Sequence, residues 1–494
     1  MEPGEGSGHP PKQAESTPGD AGEEGKAVAL MPATPPKSET TWEKLTSYIE
    51  RKAKQINIGH LLLLLLGLHL FAMSFPNGSD QYVFDEAYYT TSAKDLLGLI
   101  PNNLEHPFFG KIWGAIGIYL FGNDFFGWRI FYVIIGLASV WALYQLALQF
   151  FSKEKALFAA SFLGFETLFF IHTSLLLLEG PPILFALLAF LAYFKGRYYL
   201  CGVSMALSIL SKEWGIYFLG ALFLYHVWAT KSIPFRSLFS RPRLKKLAIF
   251  VVIIVLVVGL PLWAYDAVYH PYTSQNVVIH TEVVINPATN VTTTTNVTTT
   301  TYNYVSYPWQ NFAYYYSYHT SLTCDATCAQ NKWDHFAWGW ILPFNINPSG
   351  YYVTTVTVST KSANGTVIST KTLHPIDWQG IGNLVIWYAI WIIVPVLVAK
   401  VVQRKIGPVD TLVGVWIAAT YIPSLILSGV YHRVVYAFYF VNVDPALAFG
   451  IPMVVTYIAS DSEKLQRALL LTWLAAAIIF FVLFFPVHPL DFGS

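Results

Sequence analysis

Eleven apolar stretches, most close to the length of one bilayer crossing, dominate this 494-residue chain. They run over 58–75, 126–150, 155–171, 179–194, 197–211, 213–229, 245–263, 380–402, 409–429, 433–459 and 467–485. A lipid core offers no water to backbone N–H and C=O groups, so apolar segments of about 17–25 residues read as transmembrane helices. Only 12% of the residues are charged, against about 25% in soluble domains. That excludes an ordinary soluble enzyme, a disordered protein and a nucleic-acid binder working by bulk charge. Three cysteines exclude a disulfide scaffold and argue against a Cys-based zinc site. The expected fold class is an α-helical polytopic membrane protein with about eleven transmembrane helices.

Residues 1–57 are a different material, rich in Pro, Gly, Glu, Ser and Lys and poor in aromatics. Such a segment cannot bury enough apolar surface to offset its ordering entropy, and it reads as a disordered cytoplasmic tail. It lacks the pattern of a signal peptide, which makes 58–75 a signal anchor. Lys and Arg fall in short loops on one side: Arg51, Lys52 and Lys54, Lys153 and Lys155, Lys195 and Arg197, the run from Lys231 to Lys246, Lys400 to Lys405, and Lys464 with Arg467. The positive-inside rule makes that side cytoplasmic and puts residues 487–494 outside.

Two large loops lie on the outer side, 76–125 and 264–380. The expected division is a tail 1–57, an N-terminal transmembrane catalytic module 58–263, a partly β loop domain 264–380 and C-terminal helices 381–494. The second loop holds a Thr-rich stretch (NVTTTTNVTTTT), an aromatic-rich stretch (YNYVSYPWQNFAYYYSYH), and an alternating stretch that reads as a β-hairpin turning near Ala363 to Gly365. Sequons at Asn77, Asn290, Asn296 and Asn364 all fall outside, as do Cys324 and Cys328, which could form a disulfide.

Function must sit in the few charges retained. Lys111, Arg129, Lys212 and Arg433 break the positive-inside bias, and the acids Asp85, Glu86, Glu105, Glu179 and Glu213 fall with them, as do His106 and His432. Ionisable groups within a bilayer cost roughly 2.5–3.5 kcal/mol each at mid-span and usually mark function. Taken singly, each has a plainer explanation. A loop Asp-Glu pair is solvated, a lysine snorkels, an acid opens a helix, and a His-Arg pair anchors at an interface. Together they suggest one outward-facing site. Paired acids offer a general base or a metal ligand, and fixed cations stabilise a phosphate leaving group. That set fits transfer of a group from a lipid-linked phosphate.

The order of these residues resembles the protein O-mannosyltransferase family, membrane glycosyltransferases of the GT-C class. Its F-D-E motif is similar to Phe84-Asp85-Glu86, its H-P-P-L-G-K to His106-Pro107-Phe108-Phe109-Gly110-Lys111, and its span-opening Arg to Arg129. Its LLD-x-x-L-x-F-F looks like SLLLLEGPPILF, with Glu179 in the acid's place, and its S-x-K-W like Ser211, Lys212 and, displaced, Trp214. Its G-N-P-x-x-W-W is similar to Gly382-Asn383 followed by Trp387-Tyr388, and its late Arg motif to HRVVYAFYFVNVDP, giving Arg433 and Tyr439. The departures are Phe108 for Pro, Glu179 for Asp, a His displaced to His432, and no β-trefoil repeat in the large loop.

The resemblance implies inverting transfer of a sugar, mannose in the best-known members, from dolichyl (polyprenyl) phosphate to Ser/Thr hydroxyls of proteins. Asp85 would take the acceptor proton and Glu86 orient the acceptor. Lys212 and Arg433 would hold the phosphate, supported by Arg129 and Lys111, with His106, Glu179, His432 and Tyr439 completing the binding set. No metal is assigned, and a divalent cation is the one cofactor left open. The expected partners are the lipid-linked donor, a protein or glycan acceptor and membrane lipid, with no nucleic acid; oligomeric state is not readable. The Thr-rich loop and sequons fit an archaeal-type member at the cell membrane, and an endomembrane setting would look alike; the active site is expected on the extracytoplasmic side.

Rival readings keep the fold and change the acceptor to a glycolipid or glycan, or make the chain a transporter or a surface anchor. A transporter predicts repeats and mid-span charges, which the sequence lacks. An anchor needs far fewer spans. An oligosaccharyltransferase catalytic subunit would carry W-W-D-Y-G, whereas FAWGW at 336–340 lacks the Asp and Tyr.

Overall fold

The computed structural model describes residues 57–78, 81–230, 241–271, 273–285, 292–304, 308–323, 337–342, 349–361, 364 and 367–488. The N-terminal tail before residue 57, the sequon at Asn290 and the Cys324–Cys328 pair lie outside the described residues.

Helices occupy every expected apolar stretch. The first half runs α1 (Ile58–Met73), α2 (Glu86–Leu97), α3 (Phe109–Phe121), α4 (Phe125–Ala147), α5 (Lys153–Gly164), α6 (Thr167–Ser174), α7 (Gly180–Phe194), α8 (Tyr198–Ser211), α9 (Gly215–Ala229) and α10 (Arg241–Tyr269). Five helices among the described residues are long and apolar enough to cross a membrane, and the pair α5–α6, bent by 65°, makes a sixth. Others, such as α1, α7, α8 and α9, are apolar but only 14–16 residues long, about 21–24 Å of helix against a hydrocarbon core of about 30 Å. Their starts follow local chemistry. Asn57 caps α1 by accepting from Gly59 N (2.9 Å), and Asp124 caps α4 by accepting from Phe126 N (3.0 Å) and Gly127 N (2.9 Å).

The polar break in α5–α6 is made by Glu166. Its carboxylate accepts from Phe169 N (2.5 Å), capping α6, and from Asn383 N (2.6 Å) across the bundle. The Asn383 amide donates to Phe165 O (3.0 Å) and Ala477 O (2.8 Å). These bonds satisfy the backbone groups that a bent span exposes. The segment from Phe158 to Phe194 is almost wholly buried and forms the centre of the core, while α10 faces outward along nearly its whole length. Close approach of α3 to α4 depends on small residues: a Cβ on Gly117 would collide with the Gly127 carbonyl.

Among its described residues the long loop holds two antiparallel strand pairs, a helix and a 3-10 turn at Ala337–Gly339. Strands β1 (Thr273–Ile285) and β2 (Thr292–Tyr304) pair with each other, α11 (Pro308–Ser321) follows, and β3 (Ser349–Lys361) pairs with β4 (Val367–Gly380). The alternating stretch thus forms the β3–β4 hairpin. Its base is tied to the helices: Trp378 Nε1 donates to Phe75 O (3.1 Å), and Asp377 N and His488 N donate to Pro486 O and Pro375 O (2.9 Å each). The chain then continues through α12 (Leu384–Trp387), α13 (Ile390–Val402), α14 (Pro408–Gly429), a 3-10 turn at Ala437–Asn442, α15 (Asp444–Ile458) and α16 (Glu463–Leu483). The stretch expected as one helix over 433–459 starts as extended chain and a 3-10 turn, and α-helix begins only at Asp444, with Pro445 in its first turn.

Candidate active site

The first loop sets two neighbouring acids in opposite environments. Glu86, at the start of α2, is fully buried and meets Arg129 of α4 through two parallel bonds of 2.7 Å each (Nε to Oε1, Nη2 to Oε2). Its oxygens also accept from Val83 N (3.1 Å) and Leu176 N (3.3 Å). Arg129 Nη1 donates onward to Met73 O (2.7 Å) and Pro76 O (3.1 Å). Each charge is thereby neutralised and hydrogen-bonded, the condition for keeping an ion pair in a dry interior. Asp85 is half-buried, and its carboxylate has no hydrogen-bond partner among the described residues. Burial pushes its carboxyl up to about 6; Glu179 and Glu105 add to the rise, and Lys212 and His172 oppose it.

A second group lies within electrostatic reach of Asp85. Lys212, in the turn after α8, donates from Nζ to Glu179 Oε1 (2.6 Å) at the head of α7. Glu179 Oε2 meets His172 Nδ1 (2.8 Å), and His172 Nε2 meets the Tyr351 hydroxyl of β3 (2.9 Å). An ionised carboxylate only accepts, so Nδ1 carries the proton and the Tyr351 hydroxyl donates to Nε2. Lys212 has three N–H donors, and Glu179 is its one hydrogen-bond acceptor among the described residues.

A third group adjoins it along the chain. Glu213 Oε2 lies 2.9 Å from His106 Nδ1, and Glu213 Oε1 lies 3.1 Å from His319 Nε2 of α11. Burial opposes ionisation of Glu213, yet His106 and His319 hold its carboxyl well below the usual range. Burial also lowers His106. Arg433 donates from Nε to His319 O (2.7 Å) and from Nη1 to Val434 O (3.1 Å), and its Nη2 meets His319 Nδ1 (2.8 Å). Its guanidinium lies 5.8 Å from the Tyr439 ring centre, and that ring sits 4.3 Å from Trp214.

The remaining sequence-selected residues fall around this centre. Lys111 is buried and staples the first loop, donating to Asn103 O (2.5 Å), Asn103 Oδ1 (3.0 Å) and His106 O (3.0 Å). His432 is exposed, with a left-handed φ of +51°.

Two histidines and a carboxylate are a familiar cation-binding set, and the ligating atoms of His106, Glu213 and His319 lie within 4.8 Å of one another. The Arg433 contact argues against it. An Arg N–H at His319 Nδ1 requires a lone pair there, which places the proton on Nε2, facing Glu213. A ligating Nε2 would need the reverse. The Glu213 carboxylate thus faces His319 at 3.1 Å, and His319 in turn meets Arg433.

Chemically, the site joins a half-buried carboxylate that can take a proton with two held cations that can meet a phosphate. No curated protein matches the chain by sequence. Among solved structures, the Saccharomyces cerevisiae protein O-mannosyltransferase Pmt1-Pmt2 complex bound to the sugar donor is similar at 12% identity and a TM-score of 0.60, covering 87% of this chain and 89% of that one. Residues 105–265 match the family model described as dolichyl-phosphate-mannose-protein mannosyltransferase. The chain has the fold of this membrane mannosyltransferase, and over residues 105–265 it carries the sequence pattern of the family. ArnT from Cupriavidus metallidurans bound to undecaprenyl phosphate is similar at 14% identity, with a TM-score of 0.49 and coverage of 87% of this chain and 75% of that one. The Archaeoglobus fulgidus oligosaccharyltransferase in its apo form is similar at 12% identity, with a TM-score of 0.47 and coverage of 87% and 56%.

Three residues of this candidate site escaped sequence reasoning. His172 sits inside an apolar stretch and looks like a core histidine. Tyr351 lies in a β-patterned strand, and His319 ends an aromatic run. The signal that could have marked His172 is its spacing to Glu179, two ionisable groups seven residues apart with none between them.

Proposed function

We propose that this transferase moves a sugar, mannose, from dolichyl (polyprenyl) phosphate to Ser/Thr hydroxyls of proteins at the outer membrane face, with inversion at the sugar. The half-buried, unbonded Asp85 carboxylate beside the Lys212–Glu179 pair carries this reading. The acceptor oxygen attacks the anomeric carbon as the bond to the phosphate oxygen breaks. Asp85 takes the hydroxyl proton, and the lipid phosphate leaves with the negative charge. Lys212 and Arg433 face that charge as it develops. Tyr439 and Trp214 form an aromatic wall beside Arg433 of the kind that packs a sugar face. Glu86 and Arg129 fix the start of α2 from beneath, while Lys111 and His106 shape the loop. In this reading 58–263 forms the catalytic module, 264–380 an outer loop domain that meets the acceptor, and 381–494 the closing helices.

The test uses detergent-purified protein, radiolabelled dolichyl-phosphate-mannose and a Ser/Thr-rich peptide, comparing native protein with Asp85→Asn. Label moving to the peptide in native protein alone is the expected result. Equal transfer by both removes Asp85 from the site. Transfer to added glycolipid with none to peptide assigns a lipid acceptor.

A further inference from the structure

One contact joins the long loop to the chemistry at two points. Tyr351 is buried. Its hydroxyl holds His172 Nε2 at 2.9 Å, and so the far end of the Glu179–Lys212 pair. Its ring lies flat on Phe84, with centroids 4.1 Å apart and planes 6° from parallel. Phe84 immediately precedes Asp85 and has a φ of +55°, a left-handed conformation that a bulky residue adopts only when its surroundings impose it. The surroundings here are Tyr351 on one side and the Phe438 ring, 5.5 Å away and edge-on, on the other. The hairpin makes room for this: a Cβ on Gly380 of β4 would collide with the Tyr351 ring.

We infer that Tyr351 is a positioning residue supplied by the loop hairpin, which clamps Phe84 in its strained backbone and thereby aims Asp85, while its hydroxyl fixes the proton arrangement of His172 that orients Glu179 and Lys212. The inference rests on the proposed role of Asp85. It makes the seating of the β3–β4 hairpin a condition for turnover.

The test compares Tyr351→Phe, Tyr351→Leu, Phe84→Ala and the double variant Tyr351→Leu/Phe84→Ala. Each is assayed with dolichyl-phosphate-mannose and a Ser/Thr-rich peptide, and each is followed by backbone hydrogen exchange. Tyr351→Leu should lower kcat by about tenfold to a hundredfold, the cost of a small misplacement at a reacting centre. Tyr351→Phe keeps the stack and should lose no more than about threefold. The double variant should be no slower than the slower single one, since contacting residues are non-additive. Amides at 83–86 should exchange faster in Tyr351→Leu and not in Tyr351→Phe, with α4 amides unchanged in both.

Native kcat and native exchange in Tyr351→Leu would overturn the inference. So would losses that multiply in the double variant, or faster exchange throughout the bundle. If Asp85→Asn proves as fast as native protein, the base assignment fails, and the exchange at 83–86 still decides whether Tyr351 holds that backbone.

Discussion

Asp85 and Glu86 are adjacent in sequence and share a side-chain chemistry, yet the fold treats them as opposites. Glu86 is sealed against Arg129 with every oxygen engaged. The Asp85 carboxylate is left half-open, with charged neighbours and no hydrogen bond among the described residues. The lysines repeat the contrast: Lys111 donates to three acceptors of its own loop, whereas among the described residues Lys212 gives one bond, to a carboxylate. In a chain this poor in charge, being ionisable near the membrane does not separate framework from chemistry. Unfilled hydrogen-bonding capacity does.

Four experiments break or sharpen that contrast. Asp85→Asn should lower the transfer rate by about 10²–10⁴-fold, the range for a lost general base, and leave the melting temperature in detergent unchanged. Arg129→Met should do the reverse. It leaves Glu86 buried and uncompensated, which costs about 3–5 kcal/mol, read as a lower melting temperature or lost folded yield; adding Glu86→Leu should recover most of it. If Arg129→Met folds normally and only slows transfer, the buried pair belongs to the site after all.

Lys212→Met should slow transfer by about 10²–10³-fold, as for loss of one charge-stabilising donor, and should weaken inhibition by a polyprenyl phosphate. The pH profile is the finest probe. Only deprotonated Asp85 accepts a proton, so with its carboxyl pushed up to about 6, the rate should rise from acid to a plateau. At pH 5 it should be about a tenth of the plateau. Glu179 contributes to that upward shift, so Glu179→Gln should move the limb to lower pH. A limb that stays in place would mean that another group sets it.

The fold was legible because lipid enforces it. Eleven stretches had to satisfy their backbones internally, and each contains helix. The lengths were less legible, since packing against neighbours lets α7 to α9 stay short, and Pro445 delays the start of α15. The Thr-rich stretch was read as composition alone; it forms β2, in keeping with the β propensity of β-branched residues. Asp85, Glu179, Lys212 and Arg433 were conspicuous because charges are scarce. Partnerships were not: Glu86 and Arg129 are 43 positions apart, and His172 and Tyr351 are 179 apart. No local pattern records which of several acids a distant arginine will choose, or that a strand tyrosine will reach a histidine in the bundle.

The 65° break between α5 and α6 has a consequence for what the bilayer can reach. Eight residues of α6 extend about 12 Å. Had the span run straight, its far end would stand roughly 13 Å from where it now lies. His172 would be carried off with it, and acyl chains would fill the gap beneath the loops. A crossing that refuses to be a rod is thus what turns His172 back beneath the loops to meet Glu179.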